Sequence, residues 1–125
     1  MERWLVCGSR GVADRTGVWV TLDRELGDRS TGDVTLVVGG ARGADEIARQ
    51  WAVARHLDHE VYPADWERHG RSAGFKRNLL MLDTGVDRVI AFIDRALPDS
   101  RGTCHTVTTA RHRGIDTKVY RRDAR

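Results

Sequence analysis

Short apolar runs that stop at glycine alternate along this chain with segments of helical spacing, and this alternation limits the possible folds more than any other feature. The first run, residues 4–7, ends at Gly8, and the second, residues 35–38, ends at Gly39. Strands that alternate with helices over short links are typical of right-handed βαβ units, which build a parallel sheet. A parallel sheet is covered on both faces, so its strands are apolar throughout, as these runs are.

The same pattern predicts three further strands, at residues 60–62, 88–93 and 115–120. Four helices are predicted from apolar positions at helical spacing, and these positions are Val18, Trp19, Leu22 and Leu26; Ala44, Ile47, Ala48, Trp51 and Ala52; Phe75, Leu79, Leu80 and Leu82; Val107 and Ala110. Asp14 is expected to cap the first helix and Gly114 to end the last. Residues 67–74 and 94–101 are predicted loops. We therefore expect one Rossmann-like, doubly wound α/β domain over residues 1–125, with a five-stranded parallel sheet and helices on both faces.

Composition narrows the class of protein. Apolar residues make up 40% and charged residues 31% of the chain, which is ordinary for a globular domain. The apolar runs are too short to cross a bilayer, and the amino-terminal residues do not resemble a signal peptide. We therefore expect a cytoplasmic protein without membrane contacts, in which Cys7 and Cys104 are free thiols.

The charge balance favours an anionic ligand. The net charge is +3, but the basic residues are scattered and are not interleaved with aromatic side chains, so we do not expect nucleic acid as the main partner. The densest basic stretch is interpreted as a solvated end of the chain, with a tail at about residues 121–125. Its members are Arg111, His112, Arg113, Lys118, Arg121, Arg122 and Arg125.

Three glycine-containing segments follow predicted strands, at residues 8–11, 39–43 and 101–103. Ligands of open α/β sheets bind at the carboxyl ends of the strands, where glycine lets backbone N–H groups approach a phosphate and a helix N-terminus attracts negative charge. Each turn alone is equally consistent with a structural role, but three at one sheet edge favour a phosphate site. The sequence contains neither a dinucleotide fingerprint after the first strand nor an ATP-hydrolysing P-loop. Its histidines have no metal-binding spacing, and we expect no metal and no cofactor.

Four motifs resemble the SLOG superfamily, and in particular its small YspA-type branch found in bacteria and phages. They are residues 6–10 (Val-Cys-Gly-Ser-Arg), 39–45 (Gly-Gly-Ala-Arg-Gly-Ala-Asp), 63–66 (Pro-Ala-Asp-Trp) and 73–78 (Ala-Gly-Phe-Lys-Arg-Asn). The resemblance is collinear and covers residues 3 to about 120. It implies a Rossmann-like fold that binds nucleotides or nucleotide-derived molecules in a bacterial cytosol or that of a phage-infected host. It leaves open whether the protein is a monomer or a homodimer.

The Lonely Guy phosphoribohydrolases, enzymes of this superfamily, cleave the N-glycosidic bond of nucleoside monophosphates. Their helical arginine matches Arg77, and their Pro-Gly-Gly-x-Gly-Thr-x-x-Glu motif falls on residues 98–106. The proline, the third glycine and the threonine match, whereas Asp99 and Ser100 replace the glycine pair and Thr106 replaces the glutamate. A hydroxyl cannot stabilise an oxocarbenium-like transition state or activate water as a carboxylate does. The leading hypothesis is therefore a sensor or sequestering module for a nucleotide-like small molecule. The alternatives are a nucleotide N-glycosidase and, as in the superfamily member DprA, single-stranded DNA binding.

Candidate site residues follow from the turns and from the resemblance. If the protein is an enzyme, Arg77, Asp45 and His105 are the candidate catalytic residues, with Asp65 and Asp99 as further possible acids. Asp45 is alternatively a stabilising charge at a helix N-terminus, and Trp66 either stacks on a base or covers the sheet edge. The predicted ligand-binding residues are Gly8, Ser9, Arg10, Gly39, Gly40, Arg42, Gly43, Asp65, Trp66, Arg77, Asn78, Arg101, Gly102 and Thr103.

Overall fold

A computed structural model describes residues 1–122; the final residues of the predicted basic tail, 123–125, lie outside the described part. The strands are β1 (Glu2–Gly8), β2 (Val34–Val38), β3 (Asp58–Val61), β4 (Arg88–Ile93) and β5 (Asp116–Arg121). The α-helices are α1 (Arg15–Leu26), α2 (Ala44–Ala54), α3 (Trp66–His69), α4 (Ala73–Asp83) and α5 (Arg101–His112). Three 3₁₀ turns lie at Thr31–Asp33, Gly70–Ser72 and Leu97–Asp99. Within residues 1–122, no helix has the length and apolar character needed to cross a membrane.

All five strands pair in parallel, in the order β3-β2-β1-β4-β5, which confirms the predicted sheet. Trp4 of β1 pairs with Leu36 of β2 on one side and with Arg88 of β4 on the other. The chain builds outward from β1 to β3, then returns to place β4 on the opposite side of β1. The order therefore reverses between β1 and β4, which is where ligands bind in folds of this type.

Helices cover both faces of the sheet, as predicted. Successive side chains of a strand point to opposite faces, so Trp4 packs in one core with α1 and α2, and Leu5 packs in the other with α4 and α5. Trp51 of α2 is fully buried in the first core, and Val107 of α5 is fully buried in the second. Each core removes a large apolar area from water, which stabilises the three-layer arrangement.

The predicted helix ends are confirmed at two positions. The carboxylate of Asp14 accepts a hydrogen bond of 3.0 Å from the Gly17 N–H and so caps α1. Gly114, at φ +75°, follows the end of α5. Both thiols are free, with Cys7 buried in β1 and Cys104 partly exposed on α5.

The prediction of loops at residues 67–74 and 94–101 is partly wrong. Trp66 begins the short helix α3, because the Asp65 carboxylate accepts a hydrogen bond of 3.1 Å from the Arg68 N–H. A helix of four residues is too short for apolar periodicity to reveal it. The second loop contains the turn at Leu97–Asp99, and its last residue, Arg101, already belongs to α5.

Candidate functional site

The three glycine-containing turns meet at one cleft of about 460 Å³ at the carboxyl edge of the sheet. Residues 8–11 contribute from the end of β1, Ala41 and Arg42 from the turn before α2, and residues 101–103 from the start of α5. These segments are far apart in sequence but adjacent in space, because the carboxyl ends of parallel strands share one edge. The cleft therefore lies at the point where strand order reverses.

Ser9 joins the parts of this cleft. Its N–H donates to the Phe92 carbonyl of β4 at 2.9 Å, and its own carbonyl accepts from the Ala44 N–H of α2 at 3.4 Å. Its hydroxyl lies 2.7 Å from the hydroxyl of Ser100, the residue before α5. The N-termini of α2 and α5 therefore both contact the same residue.

The N-terminus of α5 is open to the cleft. The N–H groups of a first helical turn have no partner within the helix, and this turn contains no acidic residue. The Ser100 hydroxyl makes no capping hydrogen bond, because it is paired with Ser9 instead. Arg101, Gly102 and Thr103 all line the cleft. This arrangement favours an anion at the start of α5.

Contacts to the Gly102 carbonyl hold that first turn in place. The Asn78 amide of α4 donates to it at 3.3 Å, and the Thr106 hydroxyl donates to it at 3.2 Å. Thr106, which matches the glutamate of the Lonely Guy motif in the sequence resemblance, is 1% exposed. A Cβ added at Gly102 would meet no atom within 4 Å, so this position faces open space.

The first turn of α2 carries an acidic side chain that folds back onto the turn before the helix. Asp45 lies in its first turn, and the Asp45 carboxylate accepts a hydrogen bond of 3.2 Å from the Ala41 N–H. The residue is only 5% exposed and lines the cleft. Burial raises the pKa of Asp45 to about 6, and the Ala41 hydrogen bond and the charge of Arg77 limit the rise. The cleft thus has one helix N-terminus open to an anion and one that already holds a carboxylate.

Positive charge dominates the lining. Six arginines line the cleft against two aspartates, Asp45 and Asp99. The arginines are Arg10, Arg42, Arg71, Arg77, Arg95 and Arg101. Arg95 pairs with Asp94 at 3.1 Å, whereas Arg10, Arg42, Arg71 and Arg101 have no ion pair within the described residues. Guanidinium groups of this kind suit the oxygens of a phosphate.

Arg77 supports the turn before α2 as well as lining the cleft. Its guanidinium donates to the Gly39 carbonyl and, at 3.3 Å, to the Tyr62 carbonyl, while its Nε donates to the Asn78 side chain at 2.9 Å. A Cβ at Gly39 would lie 2.5 Å from this guanidinium, so a larger residue there would require the Arg77 side chain to move. Burial lowers the pKa of Arg77, but the nearby Asp45 carboxylate opposes that shift.

The cleft contains eleven of the predicted site residues: Gly8, Ser9, Arg10, Arg42, Asp45, Trp66, Arg77, Asn78, Arg101, Gly102 and Thr103. The further candidate acid Asp99 also lines it. The remaining predicted residues lie outside the lining: Gly39, Gly40, Gly43, Asp65 and His105.

Three of the residues outside the lining contact other parts of the protein. Gly43 has φ +77°, and a Cβ there would lie 2.5 Å from the Ser9 carbonyl oxygen, so this glycine permits close packing behind the site. Asp65 caps α3, and the His105 ring lies against Phe75 with 4.6 Å between ring centres. These three positions therefore shape the cleft from outside.

Sequence reasoning did not select Arg71, Phe75, Arg95 or Ser100, although all four line the cleft. Arg71 and Phe75 come from the segment between β3 and the body of α4, whose path the sequence pattern did not reveal. Trp66 and Phe75 are 52% and 41% exposed, so they form an aromatic rim at the cleft. The available signal for this rim was Phe75 within the Ala-Gly-Phe-Lys-Arg-Asn motif of residues 73–78.

Comparison with known proteins identifies a family and a relative of this chain. The model of the YspA, cpYpsA-related SLOG family matches residues 3–69, which include the first two glycine turns. The "Gene 61 protein" of Mycobacterium phage D29 is similar, with 43% identity over 120 residues that cover 92% of this chain and 93% of the phage protein. No solved structure matches the chain at a significant level.

Proposed function

The chain belongs to the YspA, cpYpsA-related SLOG family, and from this premise we propose that its cleft binds the phosphate of a nucleotide or nucleotide-derived small molecule. One observation carries the proposal: the first turn of α5 opens on the cleft without an acidic residue, beside arginines that have no ion pair within residues 1–122. Backbone N–H groups and guanidinium groups together provide directed donors and positive charge for phosphate oxygens.

The aromatic rim of Trp66 and Phe75 supports a ligand with a base. Both side chains are substantially exposed at the cleft, where a heteroaromatic ring can stack on them. A volume of about 460 Å³ lies within the range of ordinary small-molecule sites. We infer a role as a sensor or sequestering module, since the phosphate-binding turns are retained and Thr106 stands where the related enzymes have glutamate.

The test is isothermal titration calorimetry with AMP and ADP-ribose. Gly102→Asp adds a carboxylate to the first turn of α5, in open space, and should weaken binding about tenfold or more through repulsion of the phosphate. Gly102→Ala is the matched control, because it adds bulk without charge, and should retain wild-type affinity within about threefold. An acidic residue at a helix N-terminus is favourable, so Gly102→Asp should remain folded. Equal affinity of the two variants would contradict the proposed site.

A second function, hydrolysis of an N-glycosidic bond, is favoured by one observation. Asp45 is a buried carboxyl in the same cleft, and burial raises its pKa to about 6, which suits proton transfer near neutral pH. Incubation with AMP or NAD, followed by chromatography for the free base, tests this alternative. Turnover that disappears in Asp45→Asn and in Arg77→Ala would favour the enzyme, and absence of turnover with tight binding would favour the sensor.

A further inference from the structure

The two helix N-termini at the cleft differ in what they offer a ligand. At α5 the first turn is free of acidic side chains, whereas at α2 the first turn carries Asp45, whose carboxylate accepts the Ala41 N–H. A phosphate at α2 would meet this negative charge, so α5 is the favoured phosphate position. Asp45 then remains as a hydrogen-bond acceptor beside the ligand.

The two positions line one cleft. Ser9 contacts Ala44, the residue before Asp45, and also contacts Ser100, the residue before Arg101. A ligand whose phosphate lies at the first turn of α5 can therefore place the group that follows its phosphate against Asp45. In a nucleotide that group is the sugar, and the base lies one sugar further away.

The carboxylate of Asp45 is available for such a contact. The residue is only 5% exposed and lines the cleft. Within residues 1–122, no basic side chain forms an ion pair with it. A carboxylate carries about four lone-pair positions, and the backbone contacts to Ala41 and Gly39 occupy only part of them.

We propose that Asp45 accepts a hydrogen bond from a ring hydroxyl of the ligand's sugar, so that the cleft selects ribose phosphates over their deoxy analogues. This proposal rests on phosphate binding at α5, and it holds whether or not the ligand is cleaved afterwards. A site that hydrogen-bonds a hydroxyl rejects an analogue lacking it, because the buried acceptor is then left without a partner. The expected preference for AMP over 2′,3′-dideoxy-AMP is about 10- to 100-fold.

The experiment compares AMP, its 2′-deoxy, 3′-deoxy and 2′,3′-dideoxy analogues, IMP and inorganic phosphate by calorimetry. The proteins are the wild type, Asp45→Ala, which removes the acceptor, and the control Asp28→Ala, which removes an exposed carboxylate outside the cleft lining. In Asp45→Ala the preference for AMP over dideoxy-AMP should fall to within about threefold. Inorganic phosphate should bind this variant at least as tightly as the wild type, since a negative charge has been removed. Asp28→Ala should retain the wild-type preference.

Each other outcome overturns the proposal in a distinguishable way. If the wild type binds AMP and dideoxy-AMP equally, the sugar contact is absent while phosphate binding stands. If Asp45→Ala weakens both ligands equally, Asp45 has only a structural role. If the wild type prefers AMP over IMP and loses that preference in Asp45→Ala, the residue recognises the base. If neither nucleotide nor phosphate binds, the proposed function fails and this inference fails with it.

Discussion

The hydroxyl groups of Ser9 and Ser100 lie 2.7 Å apart, although 91 positions separate them in the chain. Ser9 follows the central strand β1, and Ser100 precedes α5, so this contact fixes the open helix N-terminus against the middle of the sheet. Both residues are buried, at 7% and 8% exposure. Removing one hydroxyl therefore leaves the other without this partner.

A double-mutant cycle of Ser9→Ala and Ser100→Ala should show coupling of about 1 kcal/mol in the free energy of unfolding, measured by urea denaturation. Ser9→Ala should also weaken AMP binding, because the first turn of α5 loses one of its supports. Additive effects on stability would show that the two hydroxyls do not depend on each other.

Gly43→Ala should destabilise the protein more than Gly85→Ala, although both glycines have positive φ, +77° and +91°. The strained backbone costs about 1–2 kcal/mol at either position. At Gly43 the new Cβ would also lie 2.5 Å and 2.6 Å from the carbonyl oxygens of Ser9 and Arg10, which adds about 1–3 kcal/mol. A Cβ at Gly85 meets nothing within 4 Å, which makes it the matched control. Equal losses in thermal or urea unfolding would contradict the packing described behind the cleft.

A buried carboxylate, Glu25, organises the side chains between α1 and two strands of the sheet. Arg88 donates to it at 2.6 Å, Lys118 at 3.0 Å and the Tyr120 hydroxyl at 2.7 Å. Burial would raise the pKa of Glu25, but the hydrogen bonds from Tyr120 and Lys118 together with the charge of Lys118 and the Arg88 contact outweigh burial and lower it. The ionised form therefore stabilises the folded state.

Glu25→Gln should reduce the free energy of unfolding at pH 7 by about 3 kcal/mol, because three donors lose a charged acceptor. The pKa of Glu25 is lower in the folded state than in the unfolded state. The stabilising effect of the ionised carboxylate is therefore fully present above the unfolded-state pKa and is lost as the pH falls through the folded-state pKa. The difference between the wild type and Glu25→Gln in urea unfolding should therefore shrink from pH 7 toward pH 3. Glu46→Gln, which disrupts an exposed ion pair with Arg49, is the control and should cost under about 1 kcal/mol. A pH-independent difference would contradict this assignment.

Trp66→Ala should weaken AMP binding by about 1–3 kcal/mol while leaving the affinity for ribose 5-phosphate nearly unchanged, if the base stacks on the aromatic rim. Leu80→Ala is the control, since Leu80 is 56% exposed but does not line the cleft. Calorimetry with both ligands checks the result. A loss shared equally by AMP and ribose 5-phosphate would assign Trp66 to covering the sheet edge.

The sequence pattern predicted the four longer helices and the five strands because their apolar periodicity reports burial directly. It did not reveal α3, whose four residues depend on the Asp65 cap and on the glycine that follows. It also did not identify the buried face of α4, where Ala73, Asn78, Met81 and Leu82 are buried but Phe75, Leu79 and Leu80 are exposed. A helix beside a ligand cleft can expose apolar side chains, so composition alone does not orient it.

What the sequence determined by itself is the parallel α/β architecture and the placement of three glycine turns at the carboxyl ends of strands, since both follow from local pattern and chain direction. Only the tertiary structure decided which N-terminus is open. At α2 the first turn carries the Asp45 carboxylate, which accepts from Ala41, and at α5 the Ser100 hydroxyl is held by Ser9. These assignments depend on contacts between segments distant in sequence, and the physical reason is that a polar group's role is set by the partner it finds in space.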